Sequence, residues 1–472
     1  MRITDLHRCG VRPGRLVEWT LSPATLAVAA GLPQDSRPPA YIQEGHIRTA
    51  KAVRERGVIQ PTWIGLAFDL PGPVDLEALQ DALQTWTVRH ETLRSGFRWD
   101  GDTLCRFTLD GGDVSLRREV AGDFPDAGEL VRHLRDRFDA ATDALSWPNY
   151  LYTAVVRDDS TSVYMAFDHI NVDAYSLQNL PAEIDELYTT AVDGCEVRHG
   201  PAASYIDFCE IERADADRAD VDHDMVARWR DFIRRCDGRL PSFQIDVGHE
   251  PDGRMPQQTI ICEMLTSPED AAAFEAYCRP YGGTLVGLLA ASALLIHKLA
   301  KQPVFRTIVP FHTRVRSQWS GSVGWYVGNA PVEIAVDRAH DFTGALRAAR
   351  DNLRVNKRLA RMPLDRVLTL IGPEFRPTSP DLYSGFSYID ARLFPGAERW
   401  AEMRASCLLR VSRGDQTGVW VSRLHEGLHI TTRHPDNDIA DKNMRLYVER
   451  LRGLITSVPT SGSLDTDFGS SR

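Results

Sequence analysis

Hydrophobic and polar positions along the chain alternate between two rhythms. In VDLEALQDALQTWTVRHETL (74–93), Leu76, Leu79, Leu83, Trp86 and Val88 recur at helical spacing, and Asp75 stands where an N-cap belongs, so a helix is predicted there. Just before it, PTWIGLAFDLPG (61–72) is an apolar run closed by Pro-Gly, the pattern of a strand and turn. SGFRWDGDTLCRFTLD (95–110) carries a central Asp-Gly and predicts a hairpin. A helix is expected over 127–142 and a strand, turn and strand over 153–170, and helical patterning resumes at 182–192. Residues 1–60, rich in Pro, Gly and charge, read as a loop-rich lead-in.

The same rhythm returns after residue 256. QQTIICEMLT predicts a strand, AAAFEAYCRPYG a helix, GTLVGLLAASALLIHKLAK a long buried helix and VFRTIVPFHTR a strand. Between the two stretches, RADADRADVDH (213–223) is polar and reads as a region joining halves. Strand and helix alternation in both halves predicts the α/β class with two lobes of similar size. The expected boundaries are an N-terminal lobe at 1–212, a linker region at 213–255, a C-terminal lobe at 256–458 and a flexible tail at 459–472.

Composition narrows the function classes. With 43% hydrophobic and 25% charged residues, the chain is neither disordered nor fibrous. A net charge of -10 argues against nucleic acid as the main partner, which would favour a basic face. The longest apolar run, VGLLAASALLI at 286–296, is short of the ~20 residues a membrane helix needs, so no membrane span is expected. The N-terminal MRITDLHRCGVRPG lacks the apolar core of a secretory signal, and a cytoplasmic location is expected. Cys9, Cys105, Cys195, Cys209, Cys236, Cys262, Cys278 and Cys407 form no CxxC pair and are read as reduced thiols.

Three motifs offer chemistry. HEGLH (425–429) satisfies the HExxH pattern of zinc peptidases, which needs both histidines on one helix face. Its setting, GVWVSRLHEGLHITTRH, reads instead as strand, glycine turn and strand, so no metal site is assigned and the zinc peptidase is the last of the alternatives. HxxxD occurs as His169 with Asp173 and as His434 with Asp438. His434 lies in TTRHPDNDIA, a polar turn by composition, and is read as a surface residue. His169 follows the apolar strand SVYMAF and leads into a helix, a common place for active-site groups in α/β proteins; a core histidine bonded to an aspartate fits the same pattern. In SVGWYVGNAPVEI (322–334), Gly324 and Gly328 permit close backbone approach or bends, and Trp325 and Tyr326 could line a channel. Arg314 and Arg316, at the end of IVPFHTRVR, suit a surface ion pair on the residues alone.

Taken in order, these segments resemble the condensation-domain acyltransferase superfamily of peptide-synthetase condensation domains, actinobacterial polyketide-associated acyltransferases and plant BAHD acyltransferases. RHETLRSGF (89–97) is similar to its HxxLRxxF segment, DHINVDAYS (168–176) to its HHxxxDGxS core and YIDFCEIE (205–212) to its YxDY segment. FHTRVR (311–316) resembles the strand with a structural arginine, VGWYVGNAPVEI (323–334) the VGxFxNxxPv segment, and RMPLDRVLTL (361–370) the later P-F-D/E stretch. VRPGRLVEWTLSP and HPDNDIA look closest to the trehalose-lipid branch. Two positions depart: Asp168 stands where the core motif has its first histidine, and Ala174 where it has glycine.

The resemblance implies two chloramphenicol-acetyltransferase-like lobes, each a mixed sheet flanked by helices, with an active-site tunnel between them. It implies acyl transfer from acyl-CoA or a carrier-protein phosphopantetheine thioester to a hydroxyl of a trehalose-like sugar or a polyketide, with no permanently bound cofactor and no covalent intermediate. His169 is then the expected general base and Asp173 the second catalytic-motif residue, with Arg314 as the ion-pair partner of Asp173. Asp168, Asn171, Ala174, Tyr175, Ser176, Trp325, Tyr326 and Asn329 are the expected substrate-binding residues. A monomer is expected, with an acyl or peptidyl carrier protein as a further partner. Alternatives are a freestanding condensation enzyme that forms amides, and an inactive binding or scaffold member.

Overall fold

The computed structural model describes residues 1–195, 202–248, 255–336, 341–379 and 381–461. In chain order the elements begin β1 (Arg2–Thr4), β2 (Gly14–Leu21), α1 (Pro23–Ala30), α2 (Tyr41–Glu55), β3 (Ile64–Pro71), α3 (Leu76–Arg89), β4 (Ser95–Asp100), β5 (Thr103–Thr108), β6 (Leu116–Phe124) and α4 (Ala127–Ala141). They continue β7 (Tyr150–Val156), β8 (Ser160–Phe167), α5 (Ala174–Val192), α6 (Tyr205–Asp217), α7 (Asp224–Arg235), β9 (Gln258–Thr266), α8 (Pro268–Cys278), α9 (Thr284–Ala300), β10 (Val304–His312) and β11 (Val327–Ala335). The last are α10 (Phe342–Asn356), α11 (Leu364–Ile371), β12 (Gly385–Asp390), β13 (Ser406–Leu409), β14 (Gly418–Leu424), β15 (Gly427–Pro435) and α12 (Asp438–Ser461).

The chain forms two compact units that are not two contiguous stretches. The first takes Met1–Asp220, His312–Val327 and Leu393–Arg410; the second takes Val221–Phe311, Gly328–Arg392 and Val411–Arg472. Local patterning cannot report this exchange, because it reads each element without its distant partner. In the first unit, the sheet runs β1-β13-β3-β8-β7-β2-β6. β13 comes from late in the chain, pairing parallel with β1 and antiparallel with β3. Leu16, Trp63, Leu134, Phe138, Leu151 and Val155 pack into one buried cluster around this sheet and α4. Asp75 caps α3, accepting hydrogen bonds from the backbone N–H groups of Glu77 and Ala78.

Residues 1–60 are not a loop-rich lead-in. β2 sits inside the sheet, paired with β7 on one side and β6 on the other. The prolines and glycines that suggested loops lie at element ends: Gly14 opens β2, Pro23 begins α1 and Gly31 closes it. Of the stretch read as a linker, 213–217 completes α6 and α7 follows, while 249–254 lies outside the described residues. α12 runs through Ser461, so the expected tail begins as helix; 462–472 lies outside the described residues.

In the second unit the sheet order is β11-β10-β12-β14-β15-β9. The core gathers around α9, where Leu288, Leu289, Ala290, Ala291 and Ala293 are fully buried. An all-round apolar helix belongs inside a core. No single described helix is long and apolar enough to cross a membrane; the segments Pro268–Tyr281 and Thr284–Ala300 reach that length and composition only together, across a 95° bend. HEGLH straddles the turn of the β14–β15 hairpin, with His429 in the strand opposite Ser422. Its histidines therefore share no helix face.

Candidate active site

β8 is apolar because it lies between β3 and β7 in the sheet, buried along nearly its whole length. It ends at Phe167, and the turn that follows is fixed by its own polar groups. The Asp168 N–H donates to the Asn149 carbonyl at 2.8 Å, and the Asn171 N–H to the Asp168 carbonyl at 3.1 Å. The Asp168 side chain accepts the Ile170 N–H at 3.0 Å, and Asn171 Nδ2 donates to Asn149 Oδ1 at 2.5 Å. α5 then starts behind Asp173, its N-cap, which accepts the Ser176 N–H at 2.7 Å.

Asp173 is saturated with donors. Arg314 grips it at two points, Nη1 to Oδ2 at 2.6 Å and Nη2 to Oδ1 at 3.1 Å. The Tyr326 N–H and the Ser176 hydroxyl also donate to it, at 3.0 and 2.8 Å. Burial alone would push this carboxyl up, but Arg314 and these donors hold it below the usual carboxylate range. The Arg314 guanidinium lies between the rings of Tyr175 and Tyr326, 4.4 and 4.2 Å from their centroids. The pair is a buried tie between the His169 turn and the 312–327 segment, so Arg314 is no surface residue. Arg316, by contrast, is exposed over the Trp319 ring.

That segment carries Trp325 to the histidine. The imidazole of His169 stacks on the indole with ring centres 4.1 Å apart and planes at 27°. Its Nδ1 is buried without a hydrogen-bond partner, while the residue as a whole is only partly buried. Burial is the main influence on its ionisation and lowers the pKa; the residue's own backbone carbonyl opposes this, and His46 adds to the lowering. A pKa below the ordinary histidine value favours the uncharged ring at neutral pH.

Gly324 explains how Trp325 gets there. A Cβ on Gly324 would fall 2.3 Å from Tyr205 Cγ, so the chain passes the tyrosine ring where a side chain does not fit. Gly324→Ala is expected to cost about 1–3 kcal/mol by overpacking and to reduce turnover by displacing Trp325. Urea unfolding and initial-rate measurements on that variant check both effects.

Several residues expected at the substrate are instead consumed inside the protein. Asp168, Asn171, Ser176 and Tyr326 are buried, and each is bonded to protein partners. Asn329 is buried in the second unit, near Tyr383. Ala174 is exposed, and Tyr175 and Trp325 are partly exposed. His434 is not on the surface: it is buried at the end of β15, beside Thr432, and burial lowers its pKa to about 4. The polar composition around it suggested a turn, but β15 continues through Pro435. All eight cysteines are free.

One residue at the site went unnoticed in the sequence. His46, on α2, places Nε2 3.2 Å from Asp168 Oδ2 and its ring edge-on to Trp325, centres 5.5 Å apart. It lies outside every motif, and only the fold brings it to position 168.

With this geometry in place, comparison identifies the class. A family model described as the condensation domain matches residues 62–373, more than half of the chain, so the protein belongs to the condensation-domain family. Within it, curated relatives include acyltransferases of the trehalose-lipid branch. The trehalose-2-sulfate acyltransferase PapA2 of Mycobacterium tuberculosis H37Rv is 29% identical over 462 residues, covering 96% of this chain and 96% of that protein. The 2'-acyl-2-O-sulfo-trehalose (hydroxy)phthioceranyltransferase PapA1 of M. tuberculosis CDC 1551 is 26% identical over 486 residues, covering 98% and 91%. Among solved structures, a PapA2 acyl transferase superposes with a TM-score of 0.89 at 26% identity, covering 98% of this chain and 100% of that one. The epimerization domain of tyrocidine synthetase B, at TM-score 0.66 and 14% identity, shares the fold across 90% of this chain and 97% of its own.

Proposed function

We propose that this acyltransferase moves an acyl group from a thioester, acyl-CoA or a phosphopantetheine carrier, to a hydroxyl of a trehalose-like sugar, with His169 as general base. The observation that carries the reading is the partly accessible imidazole of His169, stacked on Trp325 at the turn after β8, in a chain that aligns over 96% of its length with a trehalose-2-sulfate acyltransferase.

An alcohol attacks poorly until its proton is removed as the new bond forms. His169 takes that proton while the oxygen adds to the thioester carbonyl. The tetrahedral intermediate then collapses, the carbon–sulfur bond breaks, and the imidazolium returns the proton to the departing thiolate. Products are an ester and a free thiol, and the histidine ends as it began. General base assistance of this kind is typically worth ~10²–10⁴-fold; holding both substrates together adds the gain of an intramolecular attack. Asp173 takes no part in proton transfer, since its oxygens are occupied by Arg314, Ser176 and Tyr326. It fixes the turn that carries the base. Ala174, Tyr175 and Trp325 remain as the expected residues able to meet substrate.

The test is a transfer assay with purified protein, acyl-CoA or an acyl-phosphopantetheine carrier as donor, and a panel of trehalose, 2-sulfated trehalose and primary amines, reading free thiol and product mass. The account expects acyl-trehalose products. Transfer to amines alone would replace it with amide synthesis, and no transfer from either thioester form would refute it.

A further inference from the structure

α2 presents three consecutive inward positions, Gln43, His46 and Ile47, on one face. All three reach the turn after β8. Gln43 Nε2 donates to the Ile170 carbonyl at 2.8 Å. Its Oε1 accepts from the Ala40 N–H and from Arg106 Nη2, both at 3.1 Å, so the amide cannot rotate freely. Ile47 packs with Ile170 and Leu104 in a small cluster that Trp325 borders. His46 lies between them, bonded to Asp168 and edge-on to Trp325. The indole thus meets one imidazole in a T-shaped contact and is stacked by another, that of His169.

We propose that His46 is a positioning residue of the acyl-transfer site: anchored by Asp168, it sets the Trp325 indole against His169 and so fixes the orientation of the base. The role rests on His169 being that base. Asp168 is 1% exposed on its side chain and His46 is 18% exposed, so the pair is largely shielded and its hydrogen bond is worth more than one in open water. Among the described residues, the titratable groups with the largest influence on His169 are His46 from α2 and Asp168 and Asp173 from its own turn, Asp173 being tied to Arg314. Of these, His46 opposes a second positive charge beside it, as like charges do, whereas the two carboxyl groups favour one. A purely structural histidine would brace the helix without moving the ionisation of a residue on another element.

The first test needs no substrate. The Cε1–H NMR signal of His169, assigned by its absence in His169→Ala, is titrated in the wild type and in His46→Ala. The proposal expects the titration to move to higher pH in His46→Ala, and an unmoved curve overturns it. In turnover, His46→Ala is expected to lower kcat about tenfold or more, since small displacements of a reacting group are costly, with KM for both substrates within about threefold. His46→Gln, which keeps a nitrogen donor for Asp168, is expected to recover most of that loss. His46→Ala and Asp168→Ala are expected to be non-additive, as coupled neighbours are; full additivity would overturn the link between them. If the wild type transfers no acyl group at all, the proposed function fails while the titration still decides whether His46 governs His169.

Discussion

His169→Ala is expected to lower kcat by about 10²–10⁴-fold, the usual worth of a general base, while leaving the thermal midpoint within a few degrees of the wild type. The reasoning is local. His169 Nδ1 makes no hydrogen bond that the fold would lose, and the turn is held by Asp168, Asn171, Asn149 and Asp173 rather than by the imidazole. Truncation therefore removes a stacking contact on Trp325 and the base, and little else. Steady-state kinetics beside a melting curve separates the two effects. A variant with wild-type turnover would remove His169 from the mechanism; one that is inactive because it is unfolded would show that the ring's main part is structural.

Asp173→Ala should act in the opposite manner, through stability first. Its carboxylate and Arg314 are each 2% exposed on their side chains and 2.6 Å apart. Removing one partner of such a pair leaves the other charged and buried, which typically costs about 3–5 kcal/mol. The same change frees the Ser176 and Tyr326 N–H groups and unties the 312–327 segment, so turnover falls as well. Urea unfolding measures the first, and a loss under about 1 kcal/mol would contradict the buried-pair description. The pH dependence has a definite sign. Because the folded-state pKa of Asp173 lies below its ordinary value, its stabilisation is complete above about pH 4, the unfolded carboxyl range. It is lost as pH falls through the lowered folded value. Asp173→Asn, which cannot ionise, should lack that component of acid destabilisation.

How much of this was legible in the sequence depended on distance along the chain. Helix and strand at 64–89 were readable because periodicity and the Asp75 cap are local signals. The β14–β15 hairpin was readable for the same reason, and it disposed of the zinc-peptidase spacing. The HxxxD turn was placed by the apolar strand before it, and Arg314 was assigned to Asp173 only by resemblance to a family. What remained hidden was long-range. β13 enters the first sheet beside β1 from more than 400 positions away, as the register Arg2 with Ser406 shows. His434 looked exposed because its neighbours are polar, yet the strand continues through it, paired with β9, and the residue is buried. Asp168 looked like a simple departure from a histidine motif. Only the fold shows that the Asp168 carboxyl holds a histidine from α2.

In the proposed mechanism the base is one imidazole, that of His169, whose pKa burial lowers. The most direct measurement is the pH dependence of kcat/KM for transfer to the sugar acceptor. The account predicts a plateau through neutral pH and a single acid limb centred below 6.5, the ordinary histidine value, because burial lowers the His169 pKa. An acid limb at or above 6.5, or a limb that persists unchanged in the residual activity of His169→Ala, would contradict it.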